Sequence, residues 1–200
     1  MLGPLVLAST SRWRAELLAR LELEFETQAP DFDERAEDGQ FAVLGPRDFA
    51  LHLARGKAES LRGRYAEACL LAADQIAVLG PRLLHKPSSE QAAVAQLMDL
   101  RGRSHRLITA VVLQAVGGPL DGTQIHAIDE QRLTMRSFSE SEARAYVSRH
   151  RPLDSVGAYH IEDAGIRLFE RIEGEDFTGI IGLPLLAVCR LLREFGRLPA

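Results

Sequence analysis

Two cysteines are all that this 200-residue chain holds, and Cys69 and Cys189 both sit inside apolar runs. That scarcity excludes a disulfide-stapled scaffold, and the expectation is a pair of buried thiols. The six histidines, at 52, 85, 105, 126, 150 and 160, are scattered without zinc-type spacing. Neither a Walker P-loop nor a GxGxxG fingerprint occurs, so any phosphate chemistry must use another device. No apolar stretch approaches the roughly 18–20 residues that span a bilayer, so no membrane partner is expected. The opening MLGPLVLAS lacks the basic n-region and long apolar region of a secretory signal, which gives a cytoplasmic address as the expectation. An excess of positive charge is missing too: at a net charge of −4 the chain has no general bias toward nucleic acid.

What is present is a 46% apolar composition, enough for one domain with a sizeable core or for two closely packed lobes. Strand and helix signals alternate. Leu5–Leu7 reads as a strand, followed by the hydroxyls Ser9, Thr10 and Ser11 and by a helical stripe of Trp13, Leu17 and Leu21. Either Ser9 or Ser11 suits the N-cap. LEFET reads as a short strand, and an acidic loop, APDFDERAEDG, comes next. The spacing of Phe49, Leu53, Lys57 and Leu61 predicts a helix from near Pro46 to Arg62. ACLLAADQIAVLG reads as a strand buried on both faces. Ser88 and Gln91 fit a capping box for the next helix. SHRLITAVVLQAV and TQIHAIDEQRLTMRSF then form a long hairpin around GGPLDG. Ser139 caps a short helix, GIRLFERIEG is a strand, and GLPLLAVCRLLREFG is a final helix with Pro184 in its first turn and Gly196 as its stop. With no repeat, low-complexity tract or linker, residues 1–200 read as a single α/β domain.

Several residues sit awkwardly in a purely structural account. Arg12 and Arg14 fall in the first turn of a helix, where cations oppose the helix dipole at roughly 0.3–1 kcal/mol each. A bound anion would reverse that sign. Trp13 between them reads as core from its spacing, or as a flat face for a planar base. Asp74 ends CLLAAD, and its ordinary reading is a strand-end carboxylate facing water. Inside an apolar strand, however, a carboxylate needs a partner or a metal. Lys57 shares the apolar stripe of its helix, and snorkelling to water and contact with phosphate are equally good readings. Lys86 precedes Pro87, which restricts it to extended or turn geometry; an exposed loop lysine is its default reading. Asp33 and Glu34 read as a solvated acidic pair or, if near Asp74 in space, as carboxylates suited to Mg²⁺ with phosphate and water.

In order along the chain stand LASTSRWRAELL, APDFDE, LARGKA, AADQ, HKP, RPLDSVGAYHIEDAGI and EGEDFTGIIGLPL. Any one is weak, but together they resemble the Maf family of nucleoside triphosphate pyrophosphatases. The resemblance runs from Leu5 to about Gly196. It implies an inosine triphosphatase-like α/β fold: an elongated, bent mixed sheet flanked by helices, with two lobes around a cleft. It implies hydrolysis of a nucleotide between the α and β phosphates with Mg²⁺ or Mn²⁺. Residue by residue, it makes Asp74 the proton acceptor that activates water and Glu34 a metal partner beside Asp74. Ser9, Arg14, Lys57 and Lys86 become the phosphate-binding set. Trp13, Gln75 and Glu162 occupy three substrate-facing positions where the dTTP/UTP branch resembles SPRR, ADT and IQG. The triple here resembles the 7-methyl-GTP branch, whose cationic base suits an aromatic face and a carboxylate. The same resemblance implies a homodimer. It leaves two other functions open: a dTTP/UTP pyrophosphatase, and a non-catalytic nucleotide-binding regulator of septum formation.

Overall fold

Residues 68–79, ACLLAADQIAVL, form one twelve-residue strand in which every position except Gln75 is buried. A run this apolar can only be satisfied with cover on both faces, and it lies inside a seven-stranded mixed sheet. The computed structural model describes residues 3–199. Its elements are β1 (Leu5–Ala8), α1 (Arg12–Ala19), β2 (Glu26–Gln28), a 3₁₀ helix (Glu34–Gln40), α2 (Phe41–Arg62), β3 (Ala68–Leu79), β4 (Arg82–Leu84), α3 (Glu90–Leu100), β5 (Ser104–Val116), β6 (Gln124–Met135), α4 (Glu140–His150), β7 (Phe169–Glu173), α5 (Thr178–Ile181) and α6 (Leu185–Glu194). The strand order is β2-β1-β3-β5-β6-β7, with β4 pairing β3. β1 runs parallel to both β2 and β3, while β3–β4 and β6–β7 are antiparallel. A mixed sheet flanked by helices is therefore the architecture. Among the described residues no helix is long and apolar enough to cross a membrane.

The chain divides into two compact units, Met1–Gln75 with Ile108–Asp129 and Asp176–Ala200, and Ile76–Leu107 with Glu130–Glu175. In the first unit the period-2 geometry of strands sorts side chains to two faces. Leu5 and Leu7 of β1 and Cys69, Leu71 and Ala73 of β3 join Leu17 and Leu18 of α1 and Val188, Leu191 and Leu192 of α6 in one buried cluster. Alternation turns Leu70, Ala72 and Asp74 to the opposite face, where Lys57 of α2 meets Asp74. Consecutive residues Asp74 and Gln75 thus serve opposite sides of the sheet. In the second unit, Leu97 and Leu100 of α3, Leu133 and Met135 of β6 and Val147 of α4 are buried.

Local details refine the sequence expectations. Ser11, not Ser9, is the N-cap of α1 and accepts the Arg14 backbone N–H. The cap of α3 is Ser89, one residue past the expected Ser88; its side chain takes the Ala92 N–H, so no Ser88–Gln91 box forms. A kink at Gly45 (φ 74°) separates residues 41–44 from the regular helix that begins at Pro46, because that left-handed conformation suits glycine and proline cannot donate backward. The acidic loop folds into the 3₁₀ helix with Asp33 as its cap, accepting the Arg35 N–H. The short strand expected at residues 23–27 is shifted to Glu26–Gln28. A 3₁₀ turn, Ala164–Leu168, takes the first half of the strand expected at GIRLFERIEG. Pro184 is the N-cap of α6 rather than a first-turn residue, and Gly196 closes that end at φ 70°. Both cysteines are free; burial pushes the Cys69 thiol up to about 11, which makes it a poor nucleophile.

Candidate active site

Asp74 does not end its strand. It lies in the middle of β3 and is only 2% exposed, so the solvent-facing reading of this carboxylate fails. Burying it requires a partner, and the partner comes from α2. Phe49, Leu53 and Leu61 anchor that helix in the core, which carries Lys57, on the same stripe, inward rather than to water. Lys57 is 5% exposed. Its Nζ donates to Asp74 Oδ1 at 2.5 Å and lies 2.6 Å from Glu34 Oε1. One ammonium therefore closes two carboxylates that are 40 residues apart in sequence. Glu34 reaches it from the first position of the 3₁₀ helix, whose path is set by the Asp33 cap.

Arg14 enters from the other direction. The β1–α1 turn is shaped by hydroxyls: Ser9 Oγ, 7% exposed, accepts the Ser11 N–H at 3.1 Å, and Ser11 Oγ accepts the Arg14 N–H at 3.4 Å. The first turn of α1 holds no acid, so Arg12 and Arg14 stand there unopposed by the usual N-terminal carboxylate. The Arg14 side chain commits Nε to Gly182 O (2.9 Å) and Nη1 to Ala73 O (2.8 Å). Desolvation presses the guanidinium below its ordinary value, while Asp74 and then Glu34 act in the opposite direction. Arg14 is thus a clamp between β3, just before Asp74, and the segment preceding α6.

Gln75 works on the same side. Its Nε2 donates to Gly179 O (2.6 Å), Thr109 Oγ1 (3.0 Å) and Ile180 O (3.3 Å). The donor half of this amide is consumed inside the protein, which the sequence alone did not disclose; its carbonyl is the end suited to a ligand. Trp13 is half-buried, and it stands outside the cluster that Leu17, Leu18 and Leu21 join. The Arg12 guanidinium stacks over its ring at 4.2 Å from the centroid. Ser9, Trp13, Arg14, Glu34, Lys57, Asp74 and Gln75 all belong to the first unit. Lys86 and Glu162 belong to the second, both exposed, one just after β4 and the other in the irregular segment before β7.

Sequence reasoning passed over the residues that hold this arrangement. Asp176, 7% exposed, accepts from Thr178 N (2.9 Å), Thr178 Oγ1 (2.5 Å) and Leu186 N (2.7 Å), and Thr178 Oγ1 accepts from Leu185 N at 2.8 Å. This knot fixes the segment whose carbonyls at Gly179, Ile180 and Gly182 receive Gln75 and Arg14. The signal was present: Asp-Phe-Thr before GIIGLP is an Asx and Ser/Thr turn pattern. In the second unit, buried His105 meets Tyr159 Oη at 2.7 Å through Nε2, and its Nδ1 has no partner. Among the described residues, no group of three or more His, Cys, Asp and Glu converges as a metal-ligand set.

The chain matches the family model described as Maf-like protein over residues 4–195. It is 39% identical over 195 residues to a 7-methyl-GTP pyrophosphatase of Chromohalobacter salexigens, covering 96% of each chain. Identity is 42% over 194 residues to a nucleoside triphosphate pyrophosphatase of Bradyrhizobium diazoefficiens, with 96% of this chain and 94% of that one covered. A 7-methyl-GTP pyrophosphatase of Xanthomonas oryzae pv. oryzae is 39% identical over 196 residues, 98% of each chain.

Proposed function

Because this chain belongs to the Maf family, we propose that it is a nucleoside triphosphate pyrophosphatase that hydrolyses 7-methyl-GTP to the monophosphate and pyrophosphate. The observation that carries the reading is the buried Lys57 ammonium shared by Asp74 and Glu34. A triphosphate supplies an anion to the cations in the first turn of α1, where charge-assisted hydrogen bonds of about 1.5–3 kcal/mol each exceed the dipole cost.

In this reading Asp74 accepts the proton of a water that attacks the α-phosphorus. To do so it must exchange its bond to Lys57 for one to that water, and Lys57 follows the phosphate. Arg14, with two of its five donors tied to backbone, directs the remaining N–H groups to phosphate oxygens. Ser9 adds a hydroxyl, and the family resemblance gives Lys86 a phosphate-binding role. The role of a divalent ion is part of the proposal. Two hard carboxylate oxygens already share a cation here, and Mg²⁺ or Mn²⁺ takes one or two carboxylates, filling its shell from phosphate and water. Glu34 and Asp74 therefore fit as the residues that would hold it. When bound, such an ion offsets charge developing on the pyrophosphate leaving group.

Base selection follows from the face of Trp13. A delocalised, planar cation, the Arg12 guanidinium, already stacks on that ring, and N7-methylguanine is a delocalised, planar cation as well. The carbonyl of Gln75 accepts from the base edge, and the family resemblance gives Glu162 a role in base selection. The test is pyrophosphate release from 7-methyl-GTP, GTP, dTTP and UTP with Mg²⁺ or Mn²⁺. The expected result is highest turnover of 7-methyl-GTP. Equal or faster turnover of dTTP would reject the assignment of Trp13, Gln75 and Glu162, and no release from any nucleotide would reject the enzyme reading.

A further inference from the structure

Lys57 does more than neutralise a buried acid. Its Nζ touches the two carboxylates assigned to the metal, 2.5 Å from Asp74 and 2.6 Å from Glu34, and Lys57 and Asp74 are each at most 5% exposed. An ammonium and a divalent cation compete for these carboxylates: at a few ångströms they repel each other, most strongly at buried Asp74 and less at Glu34, whose side chain is 44% exposed. We infer that Lys57 is an internal counter-ion that excludes free metal from Asp74 and Glu34 until nucleotide phosphate draws the ammonium away, so that metal and nucleotide enter together. The inference rests on the pyrophosphatase reading and concerns the loading of the same site.

The parts suit such an exchange. Helix α2 is held in place by Phe49, Leu53 and Leu61, while the lysine head moves on a flexible four-carbon stem. The ammonium trades carboxylate oxygens for phosphate oxygens. Asp74 and Glu34, once released by Lys57, are the residues that would hold the metal, with phosphate and water as its other ligands. The consequence is order: without nucleotide the carboxylates are already paired with Lys57.

The experiment is a Mn²⁺ titration of the full chain followed by electron paramagnetic resonance, without nucleotide and with a non-hydrolysable α,β-methylene GTP analogue. In the wild type the analogue should tighten Mn²⁺ binding by about tenfold or more. Lys57→Met without nucleotide should bind Mn²⁺ about tenfold tighter than the wild type, since one competing charge has gone. Adding Asp74→Asn to Lys57→Met should abolish that gain. Unchanged or weaker Mn²⁺ binding by folded Lys57→Met overturns the inference. A second readout needs no variant. Mn²⁺ alone should leave the wild-type melting temperature unmoved, and Mn²⁺ with the analogue should raise it; a comparable rise with Mn²⁺ alone overturns the inference even if Lys57→Met does not fold. Hydrolysis of 7-methyl-GTP together with unchanged Mn²⁺ affinity in Lys57→Met rejects the exchange alone, whereas hydrolysis of no nucleotide rejects the reading on which it rests.

Discussion

Removing the Asp176 carboxylate should loosen the segment that orients both Arg14 and Gln75. One buried side chain accepts three hydrogen bonds there, from Thr178 N, Thr178 Oγ1 and Leu186 N. A hydrogen bond to a charged group contributes roughly 1.5–3 kcal/mol net, so the two backbone bonds alone set a ceiling of about 3–6 kcal/mol. The Thr178 hydroxyl can turn to water, and Leu186 is 66% exposed, so part of the loss is recovered by solvation. The expected cost of Asp176→Ala is about 2–4 kcal/mol, or a melting temperature lower by roughly 4–16 °C in a chain of this size. Asp176→Asn keeps one acceptor oxygen but sets an NH₂ against a donor, so it should recover no more than half. Calorimetry measures the loss, and hydrogen exchange at residues 176–186 locates it. The functional consequence is a rise in KM, because the carbonyls of Gly179 and Gly182 no longer hold Gln75 and Arg14. Wild-type melting and exchange in Asp176→Ala would refute the claim that this knot holds the segment.

Asp74→Asn should lower kcat on the order of 10²–10⁴-fold with nucleotide still bound, as read in single-turnover pyrophosphate release; near-normal turnover would remove Asp74 as the base. Trp13→Ala should weaken 7-methyl-GTP relative to GTP by about 0.5–2 kcal/mol in competitive binding, and equal losses would return Trp13 to a packing role. Stability should fall on acidification through His105. Burial lowers its pKa from 6.5 to about 4, so between those values the unfolded chain binds the proton that the native one refuses. The contribution is complete above about pH 6.5 and is lost as pH falls toward 4, amounting to about 3 kcal/mol. Denaturant melts of wild type and His105→Gln across that range measure it, and parallel pH dependences would refute it.

Local order was readable from residue types. The continuous apolar run became β3, the hairpin around GGPLDG became β5 and β6, and Ser139 caps α4 as its position suggested. Motif order identified the family along nearly the whole chain. These features depend on period 2, period 3.6 and cap chemistry, which act within a few residues. Near misses, such as Ser89 for Ser88 at the start of α3, come from adjacent residues of equal capping capacity.

Whether Lys57 reached water or a carboxylate was not readable, because both outcomes satisfy the same helical stripe; packing α2 against the face of β3 that carries Asp74 decided it. Nor did any local rule show that the Gln75 donor ends on Gly179, or that Arg14 ends on Gly182, 168 positions away. Residue types alone determined most strands and helices, since short-range sterics and hydrophobic periodicity reside in the chain itself, and the order of the motifs carried the resemblance to the family. The pairing of particular charges and amides was settled only by the tertiary structure, because such groups take whichever partner the fold carries within about 3 Å.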